Sequence, residues 1–143
     1  MTWTALETNR HQDHVIAHVI GATPLGYFIW DETAFLLLDI GFIWNIYLDL
    51  EMGLLPHPVA ISELEADEAI KSELRSDVDS LLRGEGSSRM DCVENPTPIQ
   101  SVEVFESENT RRLVLICEQG QVVIETCEEP QRSTKVHFVP LCG

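Results

Sequence analysis

The stretch LGYFIWDETAFLLLDIGFIWNIYLDLEM, residues 25–52, is the most apolar part of the chain and decides its fold. It holds seven of the ten aromatic residues, all between Tyr27 and Tyr47. From Phe42 to Met52 every even position is apolar, while the odd positions become polar along the way. A period of two is typical of a β-strand with one face buried. We therefore expect this stretch to form strands at the core of the molecule.

Two polar interruptions divide the stretch into three strands. Asp31-Glu32 lies between GYFIW and AFLLL and predicts a hairpin turn, and Asp39-Ile40-Gly41 predicts the next turn. Loops of two residues at 31–32 and 40–41 then set the register, because loop length decides which residues face each other across a hairpin. The predicted pairs are Phe28 with Phe35, Leu37 with Trp44, and Phe35 with Ile46. One face then collects Phe28, Trp30, Phe35, Leu37, Trp44 and Ile46.

The opposite face of this predicted sheet is apolar as well. It carries Ile29, Ala34, Leu36, Leu38 and Ile43. One helix covers only one face of a sheet, so we expect either the C-terminal strands or another chain to cover the second face. Large exposed apolar faces mark interaction sites, and a two-fold dimer is the commonest closed oligomer. The sequence therefore predicts a protein partner, with a homodimer as one form of it.

The segment before the core stretch has two interpretations. Residues 15–22 are rich in Val and Ile and are followed by Pro24, which favours a strand from about Val15 with an irregular or helical lead-in. The alternative is a helix over residues 4–20. A helix would align four metal-ligating side chains on one face by their spacing of 4, 3 and 4, namely Glu7, His11, His14 and His18. Three imidazoles and a carboxylate predict a site for Zn²⁺ or a similar divalent metal.

The clearest local signal follows GLLPHP, residues 53–58, whose prolines end the sheet. Ser62 and Glu65 form a capping-box pattern, which predicts the start of a helix. Arg83 and Gly84 are typical of a helix end. A single apolar stripe predicts that this helix, residues 62–83, packs on a sheet or on another helix. The stripe consists of Leu64, Ile70, Leu74, Val78, Leu81 and Leu82.

The rest of the chain predicts a second set of strands. Residues 84–98, GEGSSRMDCVENPTP, have the composition of a linker. Strands are expected after it at about 99–106, 113–118, 122–126 and 136–139. We therefore expect one α+β domain over residues 1–143. Its parts are an N-terminal antiparallel β part (1–58), one amphipathic helix (62–83), the linker (84–98) and a C-terminal β-meander (99–143).

The charge distribution excludes two classes of partner. The net charge is −15, and ten carboxylates lie between His11 and Ile70, where the chain has no Lys or Arg. Nucleic acids and anionic membrane surfaces both require cations on the protein, so we expect neither as a partner. A transmembrane helix needs about 20 apolar residues, and the apolar stretch is too often interrupted to provide them.

Location is predicted from the N-terminus and the cysteines. The first residues lack a basic region followed by an apolar stretch, so no targeting segment is expected. The four cysteines, Cys92, Cys117, Cys127 and Cys142, show no C-x-x-C spacing. This pattern is typical of buried free thiols in a reducing compartment, and we expect a cytoplasmic protein.

A second candidate site lies at the polar edge of the last predicted strand of the core stretch. It consists of Asn45, Tyr47, Asp49 and Glu51. Asp49 and Glu51 would project to the same side, about 7 Å apart. Paired carboxylates support acid–base chemistry when burial raises one pKa, and they also bind hard cations.

The sequence carries no recognisable catalytic motif. Nucleophile elbow, phosphate loop, zinc-protease and EF-hand patterns do not occur in it. We therefore expect a non-catalytic binding or interaction module rather than an enzyme. The first alternative is a divalent-metal-binding protein or metal-dependent enzyme that uses the histidine cluster. The second is a carrier of a small apolar ligand, with Phe28, Trp30 and Trp44 lining its cavity.

Overall fold

The structure, a computed structural model, describes residues 3–7, 10–30, 32–40, 43–46, 57–59, 61–86, 89–93, 96–127 and 133–140. The side chains of residues 11, 12, 15 and 57–59 lie outside this description. In chain order the elements are β1 (Thr4–Leu6), α1 (Arg10–Val19), β2 (Pro24–Trp30), β3 (Thr33–Leu38), β4 (Ile43–Ile46), β5 (His57–Val59), a 3₁₀ turn (Ile61–Glu63), α2 (Glu68–Leu82), β6 (Asp91–Cys92), β7 (Ile99–Ser107), β8 (Thr110–Cys117), β9 (Gly120–Cys127) and β10 (Ser133–Pro140). No helix in these residues is long and apolar enough to cross a membrane.

The strands form two antiparallel sheets of five strands each. The core sheet has the order β5-β4-β3-β2-β6, and the meander sheet has the order β1-β7-β8-β9-β10. This arrangement confirms the predicted α+β class with an N-terminal sheet, one main amphipathic helix and a C-terminal meander. Two short strands belong to a different sheet from the one predicted for their part of the chain. β1 joins the meander sheet, and β6, from the predicted linker, joins the core sheet.

The meander sheet packs on the face of the core sheet that carries Leu36 and Leu38. Both leucines and Trp44 are 0% exposed. The meander residues that complete this cluster include Val104, Leu113, Leu115, Val122 and Ile124. Of the two expected covers, the C-terminal strands therefore occupy this face. The prediction of a dimer rested on an exposed second apolar face of the core sheet, and the meander sheet covers that face.

Helix α2 packs on the opposite face of the core sheet. Leu74 and Leu81 of the helix enter a buried cluster with Leu37. The rings of Phe28 and Phe35 stack in the same cluster, with centroids 4.8 Å apart. β3 is therefore covered on both faces, by the meander sheet on one side and by α2 on the other.

The first predicted hairpin is confirmed, because Phe28 pairs with Phe35 and Trp30 pairs with Thr33. The second is wrong by one residue, since Trp44 pairs with Leu36 rather than with Leu37. A shift of one residue exchanges the two faces of a strand. The predicted face is corrected accordingly: Trp44 and Ile46 lie under the meander sheet, and Ile43 takes their place on the α2 side.

The turn between β3 and β4 explains this shift. Asp39 lies outside β3 and is held by Thr23. The backbone N–H of Asp39 donates to the carbonyl oxygen of Thr23 at 2.9 Å, and its carboxylate accepts the N–H of Thr23 at 2.9 Å. These bonds keep Asp39 in the turn, so the loop is longer than the two residues assumed.

Helix α1 replaces the predicted strand from Val15, so the helical alternative is correct for Arg10–Val19, whereas Thr4–Leu6 form β1 instead of the predicted start of the helix. A strand would have been buried on both faces, whereas His18 is exposed and Val19 is only 1% exposed. The helix ends before Gly21, whose φ of +91° suits a residue without a side chain. The N–H of Gly21 donates to the carbonyl oxygen of Ile99 at 2.8 Å, which ties the end of α1 to the meander sheet.

Helix α2 begins at Glu68, later than the predicted start at Ser62. Ser62 lies in the 3₁₀ turn, which is closed by a hydrogen bond of 3.1 Å from the N–H of Leu64 to the carbonyl oxygen of Ile61. Asp67 stands at the N-cap position without a side-chain cap hydrogen bond. The predicted capping box does not form, because Leu64 is buried in the cluster under α2 and the chain bends there before the helix starts.

Replacing Gly26 by alanine is expected to destabilise the fold, because β2, α2 and β6 meet at this residue. An added Cβ would lie 2.7 Å from Leu81 Cδ1 and 2.9 Å from the backbone oxygen of Asp91. Overpacking of this kind costs about 1–3 kcal/mol, so the free energy of unfolding in urea should fall by that amount. Gly86→Ala is the control, because no atom lies within 4 Å of a Cβ added there. Equal stability of the two variants would contradict the close approach of α2 to β2.

Candidate functional site

The structure brings together two members of the predicted metal site. His14 and His18 are exposed on α1, and their Nε2 atoms are 3.3 Å apart. Glu7 lies before α1, in the segment after β1, so it does not share the helical face predicted for it. His11 belongs to α1, but its side chain is outside the described residues. In the part of the chain that the structure describes, no group of three or more His, Cys, Asp or Glu side chains could hold a metal ion.

Only one member of the predicted polar site can be placed. Asn45 is half-buried on β4, and its Oδ1 has no hydrogen-bond partner within the described ranges. Tyr47, Asp49 and Glu51 lie outside the described residues. The paired-carboxylate site therefore stays a prediction.

The aromatic residues predicted to line one cavity are divided between two layers. Trp44 is buried between the sheets, whereas Phe28 and Trp30 lie on the α2 side. Phe28 and Trp30 line an open cleft with a volume of about 660 Å³. The cleft is bordered by β2, by α2 at Leu74, by the segment around Arg89 and by residues 134–137 of β10. It therefore lies where an edge of the core sheet approaches an edge of the meander sheet.

One edge of β10 borders this cleft and has no strand partner in the described part of the chain. β9 pairs with the other edge along all of β10, from Ser133 opposite Cys127 to Pro140 opposite Gly120. The backbone groups of an antiparallel strand point alternately to its two edges. Half of the residues of β10 therefore direct their N–H and C=O groups away from β9.

The hydrogen bonds of β8 and β9 show which residues of β10 direct their backbone groups to the open edge. The N–H of Glu118 donates to the carbonyl oxygen of Pro98 beside β7, so even residues of β8 bond toward β7 and odd residues bond toward β9. Cys117 stands opposite Gly120, so even residues of β9 bond back to β8 and odd residues bond toward β10. Odd residues of β10 face odd residues of β9. The backbone groups that point to the open edge consequently belong to Thr134, Val136 and Phe138.

Among the described residues, no strand pairs with the neighbouring edge of β2 beyond Tyr27. β6 pairs only with Gly26 and Tyr27, and Ile29 is 39% exposed in the cleft. The N–H of Val93 donates to the carbonyl oxygen of Leu25 at 3.0 Å, which shows that odd residues of β2 bond toward β6. The backbone groups of Ile29 therefore point into the cleft.

A buried carboxylate keeps β6 short. Asp77 of α2 is 3% exposed, and its Oδ2 accepts the N–H of Arg89 at 2.7 Å and the N–H of Met90 at 2.9 Å. Because Asp91 stands opposite Tyr27, these two residues would be the next to pair with β2. Asp77 turns them toward α2 instead, and the rest of the β2 edge stays open.

The cleft has an apolar floor and a polar rim on the α2 side. Phe28, Trp30 and Leu74 form the floor. At the rim, Arg89 Nη2 lies 2.6 Å from Glu73 Oε2. The carboxylate of Asp91 lies at the base of this rim, beside a tyrosine.

That tyrosine is Tyr27. Its burial raises the pKa of the hydroxyl, and the charge of Asp91 and a hydrogen bond to Asp91 raise it further. The hydroxyl therefore stays protonated and acts as a donor at neutral pH. Tyr27 and Asp91 form a fixed polar pair at the first residue of β6, where the cleft begins.

The rim on the β10 side carries positive charge. Thr134, Val136 and Phe138 turn their side chains toward the core sheet, while Lys135 and His137 are exposed on the outer face. The chain has only nine Lys and Arg residues, and two of them, Lys135 and Arg89, border the cleft. The cleft is therefore less acidic than the chain as a whole.

Two contacts fix β10 relative to the core sheet. The hydroxyl of Thr134 donates to the carbonyl oxygen of Glu32 in the β2–β3 turn. The ring of Phe138 meets the ring of Tyr27 edge to face, with centroids 5.9 Å apart. These contacts anchor β10 toward both of its ends, so the cleft is formed without a ligand.

A second cavity, next to Cys117, is a weaker candidate. Its volume is about 50 Å³, which is room for only a few water molecules. Burial raises the pKa of the Cys117 thiol to about 11. The thiol therefore stays protonated at neutral pH and is a poor nucleophile and a poor metal ligand.

Sequence reasoning missed the cleft because its walls come from distant parts of the chain. The last strand was predicted to begin at 136, whereas β10 begins at Ser133. The alternation in STKVHFVP, with a lysine at Lys135, was the available signal. Lysine is common on exposed edge strands, where it opposes aggregation.

Comparisons with known proteins do not assign this site. No family model matches the chain, and no curated protein and no solved structure is similar to it. The function is therefore argued from the cleft itself.

Asp77→Ala is expected to lower the free energy of unfolding, because two backbone N–H groups lose their acceptor inside the protein. Each unsatisfied buried donor costs about 1–3 kcal/mol, so we expect a loss of roughly 2–4 kcal/mol in urea unfolding. Asp79→Ala removes an exposed carboxylate from the same helix and should change stability little. A similar loss in both variants would show that Asp77 does not hold the segment before β6.

Proposed function

We propose that this chain is a non-catalytic binding module that takes up an extended segment of another protein as an added strand. The observation that carries the proposal is the open edge of β10, which borders a cleft with an aromatic floor. Strand addition to an exposed sheet edge is a general mode of peptide recognition. Main-chain hydrogen bonds supply the affinity in this mode, and pockets for alternate side chains supply the specificity.

The backbone of β10 offers several hydrogen bonds to such a segment. Thr134, Val136 and Phe138 each direct one N–H and one C=O to the open edge, and an antiparallel partner exchanges two hydrogen bonds with each. A hydrogen bond contributes about 0.5–1.5 kcal/mol net. Together these bonds offset much of the cost of ordering the bound segment.

The inward-facing side chains of the segment would enter the cleft. They would lie over the edge of β2 at Tyr27 and Ile29, which favours aliphatic or aromatic residues at these positions. The cleft volume of about 660 Å³ lies within the range of ligand pockets, roughly 300–1,000 Å³. The exposed Ile29 would lose solvent contact on binding.

The outward-facing side chains of the segment would lie beside Lys135 and His137. Cross-strand pairs of opposite charge contribute roughly 0.2–1 kcal/mol each, which favours Glu or Asp beside Lys135. The net charge of −15 repels an acidic segment at long range, but physiological salt screens such repulsion beyond about 8 Å. The segment is therefore expected to alternate apolar and acidic residues.

A second copy of this chain fits the open edge less well. Two β10 strands paired about a two-fold axis at Val136 would place Lys135 of each copy beside His137 of the other. Two chains of net charge −15 would also repel each other. A different protein is therefore the better partner, and a cytoplasmic location of this chain stays a prediction from the sequence.

The proposal is tested with a synthetic peptide of eight residues, the length of β10, which alternates leucine and glutamate and is capped at both ends. We expect it to bind the full chain, measured by fluorescence anisotropy of the labelled peptide. N-methylation of alternate backbone amides keeps the side chains and removes N–H donors. It should weaken binding at least about tenfold, or about 1.4 kcal/mol. Equal binding of both peptides would point to an apolar-ligand site instead.

The matching protein variant is Val136→Pro. It removes an N–H that points to the open edge and leaves the ladder to β9 in place, because proline is tolerated where its N–H side faces outward. We expect a folded protein that binds the unmethylated peptide at least about tenfold more weakly. Val136→Ala keeps the N–H and is the control. The proposal is wrong if Val136→Pro binds like the control, or if light scattering shows that the free chain pairs with itself through this edge.

A further inference from the structure

The exposed histidine pair on α1 lies outside the cleft and plays no part in the proposed function. His14 and His18 are separated by one helical turn, with Nε2 atoms 3.3 Å apart and ring planes at 84° to each other. Both rings are exposed. From this geometry we infer that His14 and His18 form a chelating site for a divalent transition-metal ion.

The separation of the two nitrogens matches what a tetrahedral ion requires. Imidazole nitrogens bind Zn²⁺ at about 2.0–2.1 Å, and two ligands at a tetrahedral angle of about 109° are then roughly 3.3–3.4 Å apart. The observed Nε2–Nε2 distance of 3.3 Å agrees with this value. The separation of the two nitrogens therefore allows one ion to bind both of them.

The ion would take the place of a proton. Without metal, the contact of 3.3 Å is a hydrogen bond in which one Nε2 carries the proton and the other accepts it. Metal binding needs a lone pair on both Nε2 atoms, so the donor ring gives its Nε2 proton to water and takes one at Nδ1 from water. Both rings stay neutral, and no net proton is released.

The helix holds the two ligands in a fixed relation to the rest of the protein. Val19 is 1% exposed in the cluster between the sheets, and Gly21 is bonded to Ile99 of β7. Residues four apart on a helix share one face. The backbone that carries the chelate is therefore ordered before the ion binds, which lowers the entropy cost of binding.

The chemistry of the pair selects a class of ion. Imidazole suits Zn²⁺, Ni²⁺ and Cu²⁺, whereas Ca²⁺ and Mg²⁺ prefer oxygen ligands. Water or a further ligand would fill the remaining coordination positions, since the described residues hold no third ligand next to the pair. The site is open to solvent and would exchange its ion readily.

The test is calorimetric titration of Zn²⁺ alone into the full chain without a histidine tag. We expect one ion per chain, with at least tenfold weaker binding in His14→Ala and in His18→Ala. Ni²⁺ should bind at the same place and broaden the imidazole proton signals of these two residues in NMR spectra. His137→Ala removes an exposed histidine from β10 and is the matched control, which should bind Zn²⁺ like the unchanged chain.

The inference is overturned if Zn²⁺ binds the double variant His14→Ala/His18→Ala as tightly as the unchanged chain, or if the unchanged chain takes up no Zn²⁺. His11→Ala adds a second comparison on the same helix. A loss in this variant together with the losses at His14 and His18 would support the site with a third ligand. A loss in His11→Ala alone would overturn the two-residue chelate.

Discussion

The burial of β3 on both faces is the constraint on which the rest of the structure depends. Residues 34–38 of this strand are buried without interruption. Such a strand needs one apolar layer above it and another below it, since its side chains alternate between the two faces. The meander sheet supplies one layer through Leu113 and Leu115, and α2 supplies the other through Leu74 and Leu81. The three-layer order of meander sheet, core sheet and helix follows from this requirement.

The same arrangement creates the cleft. The meander sheet and α2 cover the faces of the core sheet, but neither covers the end of β2 beyond Tyr27. Two polar contacts then set the width of the opening. Asp77 draws the segment before β6 toward α2, and Thr134 ties β10 to the β2–β3 turn. The candidate site is thus held by a few specific hydrogen bonds at the margin of an apolar core.

The sequence predicted the parts of the fold that depend on local signals. The first hairpin follows from Asp31-Glu32, where Glu32 adopts a positive φ of 58° in a tight turn. The second register was wrong because it depends on a contact between Asp39 and Thr23, which no local pattern announces. The start of α2 was misplaced for a similar reason, since Leu64 packs into the core before the helix begins.

The candidate site could not be predicted in the same way. Its rims belong to residues far apart in the chain, such as Ile29, Arg89 and Val136, which only the packing of two sheets brings together. The histidine spacing, in contrast, is local, and it indicated His14 and His18 as neighbours once α1 was assumed. Glu7 does not share this helical face, because α1 begins at Arg10.

Amide hydrogen exchange along β10 tests the central claim most directly. If this edge is open, the amides of Val136 and Phe138 exchange quickly in the free protein, whereas those of Lys135, His137 and Val139, which bond to β9, exchange slowly. Such alternation, measured by NMR, would support an edge ready to accept a strand. Slow exchange at all five positions would show that the edge is already paired and would contradict the account.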